Sequence, residues 1–201
     1  GPVTAGGAGG PAGHAGPAPG DAAVGDSAAA PSWESLTGED LVDAYRVTLG
    51  TRAAGLCVLA ARDAGLDLAA TITDVASASL RPPMLLASVH QDARLREALD
   101  EGATWVLSVL DGSADARAAA RLLAEPGRPS LGQLTGISHH RLGGRDTPAL
   151  LDAGAAWFEC RTAWIRPAGD HDVVVGEVLR VRRGPVGGGA LVHHLGRVRP
   201  L

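Results

Sequence analysis

Apolar and polar positions along this chain change period several times. Over residues 38–49, Leu41, Tyr45, Thr48 and Leu49 recur at helical spacing, and Gly50 ends the run. This predicts a short amphipathic helix, with Thr37 and Asp40 resembling a capping box at its start. From Gly55 the pattern shortens. Gly55 to Ala61 is apolar, Arg62-Asp63-Ala64-Gly65 is a turn signal, and Leu66 to Thr73 is a second run. Together they predict a hairpin. Pro82-Pro83 forbids helix just before a third run, Met84 to Val89. Residues 91–101 suit a helix with Leu95, Ala98 and Leu99 inward. Trp105 to Leu110 predicts a strand, and the Ala- and Arg-rich stretch 113–124 a helix stopped by Pro126-Gly127. Residues 126–147, rich in Gly, Arg and Ser, read as a long loop, a length usually tied to function or mobility. Ala156 to Ile165 and Asp172 to Arg182 read as strands, and Leu191 to Leu195 as a last short one after Gly187-Gly188-Gly189.

About six strands joined mostly by hairpin-like connections, with two or three short helices, exclude a parallel doubly wound sheet. They predict a mainly β protein, a closed antiparallel barrel with peripheral helices. No internal repeat is present.

Composition narrows this picture. The chain has 201 residues. Residues 1–31 are nearly all Gly, Ala and Pro, with Val3 and Val24 the only sizeable apolar groups, so they are expected to form a disordered tail. Gly1-Pro2 resembles the scar left by a tag-cleaving protease, and the tail has neither the basic start nor the apolar run of a signal peptide. Order is expected from near Trp33, giving one domain over residues 32–201. No stretch approaches the roughly 20 apolar residues that span a bilayer. The net charge of −4 argues against bulk attraction to nucleic acid. Cys57 and Cys160 have no framework spacing and are expected to be buried free thiols in a reducing cytoplasm.

All 18 basic residues are Arg, with no Lys in the chain. That excludes a Walker lysine and a Schiff base to pyridoxal phosphate. An anionic cofactor must be held by Arg, hydroxyls, backbone N–H groups or a helix start. The adjacent pairs His139-His140 and His193-His194 lack metal-ligand spacing and are read as surface or loop histidines, so no metal site is expected. The glycines at 143–144 and 187–189 match no dinucleotide fingerprint.

Two segments carry candidate chemistry. Thr71-Ile72-Thr73-Asp74-Val75-Ala76-Ser77-Ala78-Ser79-Leu80 is rich in hydroxyls directly after a strand. It is either a polar loop that satisfies its own backbone or a wall of donors for a flat polar ring. Gly169-Asp170-His171-Asp172 sits at a strand start after Pro167.

In this order the motifs resemble the split-barrel flavin reductases of two-component monooxygenases, over about Leu41 to Leu195. Gly55-Leu56-Cys57-Val58-Leu59 is similar to that family's first strand, and Thr71 to Leu80 with Pro82-Pro83 to its hydroxyl-rich loop. Trp105 to Leu110, Ala156-Trp157-Phe158-Glu159-Cys160 and Ala168 to Val178 complete the match. The resemblance implies an FMN-binding split barrel and a cytoplasmic homodimer with flavin, FMN or FAD, near the subunit interface. It implies NAD(P)H as co-substrate and a flavin-dependent monooxygenase as partner. It places the flavin ring against Thr71, Ile72, Thr73 and Asp74, largely through backbone groups, and His171 near flavin and nicotinamide as the catalytic residue. Ser77, Ser88, Val89, Gln91, Arg94, Ser108, Gly169 and Asp170 are the remaining expected cofactor-binding positions.

The chain also departs from that pattern. Asp74 stands where the family has a second Ser, Ala93 and Leu95 where it has hydroxyls on the phosphate-binding turn, and Ser108 where it has Asn. A carboxylate beside a ring that becomes anionic on reduction is repulsive unless neutralised or turned away. These departures leave open a divergent barrel that binds another small aromatic ligand or catalyses a non-reductase step, and a non-catalytic interaction role.

Overall fold

A computed structural model describes residues 35–129, 131–185 and 187–201. The expected tail at 1–31 and the expected onset at Trp33 lie outside the described residues. In chain order the elements are α1 (Gly38–Leu49), β1 (Ala54–Gly55), β2 (Cys57–Asp63), β3 (Leu66–Ile72), β4 (Val75–Leu80) and β5 (Pro83–His90). Then follow α2 (Arg94–Glu97), β6 (Thr104–Leu110), α3 (Ala114–Ala124), β7 (His139–His140) and β8 (Leu150–Leu151). The chain ends with β9 (Gly154–Ala168), β10 (His171–Arg183), β11 (Leu191–His194) and β12 (Arg197–Pro200). Among the described residues no helix is long and apolar enough to cross a membrane.

Seven strands form one antiparallel sheet in the order β3-β2-β6-β9-β10-β5-β4. The sheet curls until β3 approaches β5, which makes the expected split barrel. The β2–β3 hairpin turns through Ala64 and Gly65, both at positive φ (46° and 80°), as a type I′ turn requires. The β9–β10 hairpin turns through Gly169 and Asp170, and only Gly169 has positive φ (70°), the type II′ pattern.

β2 is buried on both faces, because alternate side chains serve two cores. Leu59 and Ala61 point into the barrel with Leu68, Trp105, Leu107 and Val174. Val58 and Ala60 point outward against α3, meeting Ala116, Ala119 and Leu123. Ser113 caps α3, its hydroxyl accepting from Ala116 N at 3.0 Å. Cys57 and Cys160 are buried free thiols of the barrel core, and burial pushes them up to about 11 and about 12, where they stay protonated.

The structure corrects several local expectations. The segment 75–80 is an edge strand, not a loop. The helix expected over 91–101 shrinks to the four residues of α2, although Leu95, Ala98 and Leu99 do turn inward. α1 spans the expected residues but buries none of them. β12 was not anticipated. It pairs with β11, which pairs with β1, so the C-terminal hairpin closes against the start of the barrel.

Candidate functional site

β5 links the two segments singled out in the sequence. On one side it pairs with β4, Val75 opposite Ala87; on the other it pairs with β10, His171 opposite His90. The turn after β3 is closed by Ser88 N donating to Asp74 O at 3.0 Å. A residue near position 72 and one near 171 are thus brought together across a single strand, despite their separation in sequence.

Between them lies a cleft of about 460 Å³, within the range of small-molecule sites. Thr71, Ile72, Thr73 and Asp74 form one side, Ser88, Val89 and His90 the floor, and His171 one end. Ala120, Arg121 and Ala124 of α3 and His193 and Val198 of the C-terminal hairpin complete it. A second cleft of about 550 Å³ adjoins it, sharing Thr71, His90 and Ala93, and adds Arg94, Arg128 and Gln133. A separate cavity of about 490 Å³ on the other side of α3, lined by Asp111, Asp115 and Asp152, collects none of the expected residues.

The hydrogen bonds decide between the two readings of the hydroxyl-rich segment. The Thr71 hydroxyl donates to Ala120 O at 2.8 Å and ties the strand to α3. The Thr73 hydroxyl donates to Asp74 Oδ2 at 3.3 Å, and Ser79 Oγ accepts from Arg81 N at 3.1 Å. Most of these hydroxyls therefore satisfy the protein itself rather than forming a donor wall. Asp74 is paired with Arg52, whose Nη2 lies 2.5 Å from Oδ1. The carboxylate that stands in place of a hydroxyl thus has a cationic neighbour, in a pair about half exposed to water.

His171 is half-buried. Its Nδ1 lies 2.7 Å from Asp170 Oδ1, and this hydrogen bond holds the Asp170 carboxyl below its ordinary value. Gln91 fixes the turn beneath: its backbone N–H donates to Asp170 O at 3.0 Å and its side-chain amide to Asp172 Oδ1 at 2.9 Å. Asp172 also accepts from Arg96 Nε at 2.5 Å, and the Arg96 and Gln91 hydrogen bonds hold its carboxyl low.

Not every expected residue reaches the cleft. Ser108 is fully buried, and its hydroxyl accepts from Leu151 N at 3.2 Å, so it anchors β8 instead. Ser77 is exposed on the edge strand β4 and is not among the lining residues. Gln91, Gly169 and Asp170 brace the His171 turn rather than line the cavity. Arg94 lines the second cleft, and its guanidinium lies 3.1 Å from Glu97 Oε2.

Sequence reasoning missed His90, Arg121, His193 and Val198. For His90 a signal existed: Ser88 and His90 share a strand face, so one implicates the other. For His193 and Val198 no local signal existed, because only the closure of the C-terminal hairpin brings them in.

A family model described as "Flavin reductase like domain" matches residues 49–201. A probable flavin reductase of Rhizobium meliloti is 32% identical over 67% of this chain, but the match spans only 42% of that protein. An NADH-using FMN reductase of Agrobacterium fabrum is 31% identical over 68% of this chain and 74% of its own length. The crystal structure of the flavin reductase component of a bacterial two-component tryptophan halogenase superposes with a TM-score of 0.71 at 31% identity, covering 80% of this chain and 98% of that one. The NADH:FAD oxidoreductase of Streptomyces globisporus gives a TM-score of 0.74 at 26% identity, over 85% and 98%.

Proposed function

Because the chain belongs to the flavin reductase like domain family, we propose that it is an NAD(P)H-dependent flavin reductase that supplies reduced FMN or FAD to a partner monooxygenase. The observation that carries this reading is the single cleft shared by the 71–74 turn, the end of β5 and His171.

The residues fit a flavin. Leu56, Ile72 and Val198 offer apolar surface for a flat ring, and backbone groups of the 71–74 turn would hold its polar edge. The flavin supplies the chemistry, accepting hydride at N5 from nicotinamide C4. The protein holds two rings in contact and shields them from water. His171 donates its Nδ1 proton to Asp170 and lines the cleft, and in its doubly protonated form it would stabilise negative charge arriving with the electrons. Arg52 lies beside Asp74 and offsets part of its charge. Ala93 and Leu95 still lack the hydroxyls of the family pattern. Arg94 and the turn before α2 face the second cleft, where a flavin phosphate would lie.

The subunit arrangement follows the same reading. α1 presents one face of Leu41 (51% exposed), Tyr45 (61%) and Leu49 (40%) to its surroundings in the single chain. This exposed apolar face supports a homodimer in which a second copy covers it, which analytical ultracentrifugation tests: a dimer that Tyr45→Glu with Leu49→Glu converts to monomer is expected, and a monomeric wild type overturns it. For the reaction, NADH or NADPH is mixed with FMN or FAD and the nicotinamide absorbance followed. Consumption that requires added flavin is expected. No consumption with any of the four pairs overturns the function.

A further inference from the structure

His90 packs on His171 with ring centroids 5.0 Å apart and planes at 74°, an edge-to-face pair. The use of its Nδ1 follows from its partners. Asp92 N lies 3.1 Å from His90 Nδ1, and a backbone N–H can only donate. In this contact Nδ1 is the acceptor, with the Asp92 carboxylate Oδ2 4.0 Å from the same nitrogen. For His171 the assignment is reversed: Asp170 is a carboxylate and can only accept, so Nδ1 carries a proton. Two adjacent imidazoles thus use Nδ1 in opposite senses, His90 accepting and His171 donating, each contact set by a different turn.

The Asp170 contact is a weak restraint by itself. The Asp170 side chain is 79% exposed, and water competes for an ion pair at such a site. A second restraint on the His171 ring comes from His90, whose own ring is fixed by Asp92 N. The backbones of the two turns are joined by Gln91, which donates from N to Asp170 O and from Nε2 to His171 O at 3.3 Å. The neighbouring ring is thus held on a braced platform.

We infer that His90 is a positioning residue for His171: its flat ring, locked by Asp92 N–H, keeps the His171 imidazole turned with Nδ1 on Asp170 and Nε2 toward the ligand. This rests on the proposed reduction as the reaction His171 serves. His90 itself need not touch the reacting atoms. Its contribution is the shape of its ring, which separates this role from a mere acceptor for the turn.

Three substitutions divide these roles. His90→Ala removes ring and acceptor, His90→Phe keeps the ring and loses the acceptor, and His90→Asn keeps an acceptor and loses the ring. With NADH and FMN, Ala and Asn are expected to lower kcat by about tenfold while the KM for FMN stays within about twofold, and Phe to restore most of kcat. A ligand-free readout accompanies this: two-dimensional 1H–15N imidazole spectra at about pH 8.5, above the free imidazole value, with the His171 signals assigned by their loss in His171→Ala. His171 is expected as one Nδ1–H form in the wild type and in His90→Phe, and as a tautomer average in His90→Ala and His90→Asn. Rescue by Asn but not Phe, or His171 signals unchanged in His90→Ala, overturns the inference. If wild type reduces no flavin, the proposed function fails, and the imidazole spectra still decide the role of His90.

Discussion

At the scale of single residues, each group at the cleft is defined by what its neighbours leave it free to do. His171 uses Nδ1 on Asp170, so one ring nitrogen remains for the ligand. Replacing it by Ala is expected to cut turnover by about 100-fold, the low end of what a positioned proton-bearing group contributes. FMN affinity, measured by fluorescence quenching, should change far less; equal loss of both overturns the assigned role. Arg94 lines the second cleft rather than the first. Its replacement by Ala is expected to weaken FMN and FAD binding by about tenfold, as for one charge-assisted contact, and to spare riboflavin, which carries no phosphate. Titration of the two ligands side by side checks this. Residue identity alone pointed to His171, Arg94 and the 71–74 turn. It misjudged Ser108, because a hydroxyl reads the same whether it faces a ligand or a neighbouring strand; only burial separates the two. For the Thr71 hydroxyl the sequence leaves both readings open, since its acceptor lies on a helix some fifty residues away.

At the scale of elements, alternation decided what could be read. β2, β6 and β10 carry apolar residues toward packed cores, and their strands were legible. β4 is an edge strand whose positions 76–78 are all exposed, so its sequence has no buried face to betray it. Its strand character comes from pairing with β5. α2 stops after one turn, and the inward Leu95 and Leu99 imitate a longer helical period. One close approach in β10 gives a sharp test. A Cβ at Gly176 would lie 2.5 Å from the ring of Trp105, which is fully buried and donates from Nε1 to Thr162 Oγ1 at 3.1 Å. Gly176→Ala is therefore expected to destabilise the barrel by about 1–3 kcal/mol, the range for overpacked cores, read as a fall in melting temperature.

At the scale of the whole molecule, acid sensitivity follows from two braced carboxylates. Asp172 is held low by hydrogen bonds from Arg96 and Gln91. Burial alone would raise Asp67, but hydrogen bonds from Arg141 and Arg62 outweigh it and hold that carboxyl low as well. Their folded values lie below the unfolded ones, so the unfolded chain binds protons first as pH falls. Their stabilisation is present above about pH 4 and is lost as pH drops through the lower folded values. Thermal melts between neutral and acid pH should show this decline. Arg96→Gln is expected to lower the neutral-pH melting temperature and to flatten the acid limb; a limb as steep as wild type would mean that Asp172 does not contribute.

The last strand is short, yet it places Val198 in the ligand cleft and, through its partner β11, His193 beside it. Deleting residues 197–201 would leave all seven strands of the main sheet in place and remove one side of the container. Such a shortened protein should still melt cooperatively while letting its guest escape sooner, so the tail end of the chain sets residence time rather than foldedness.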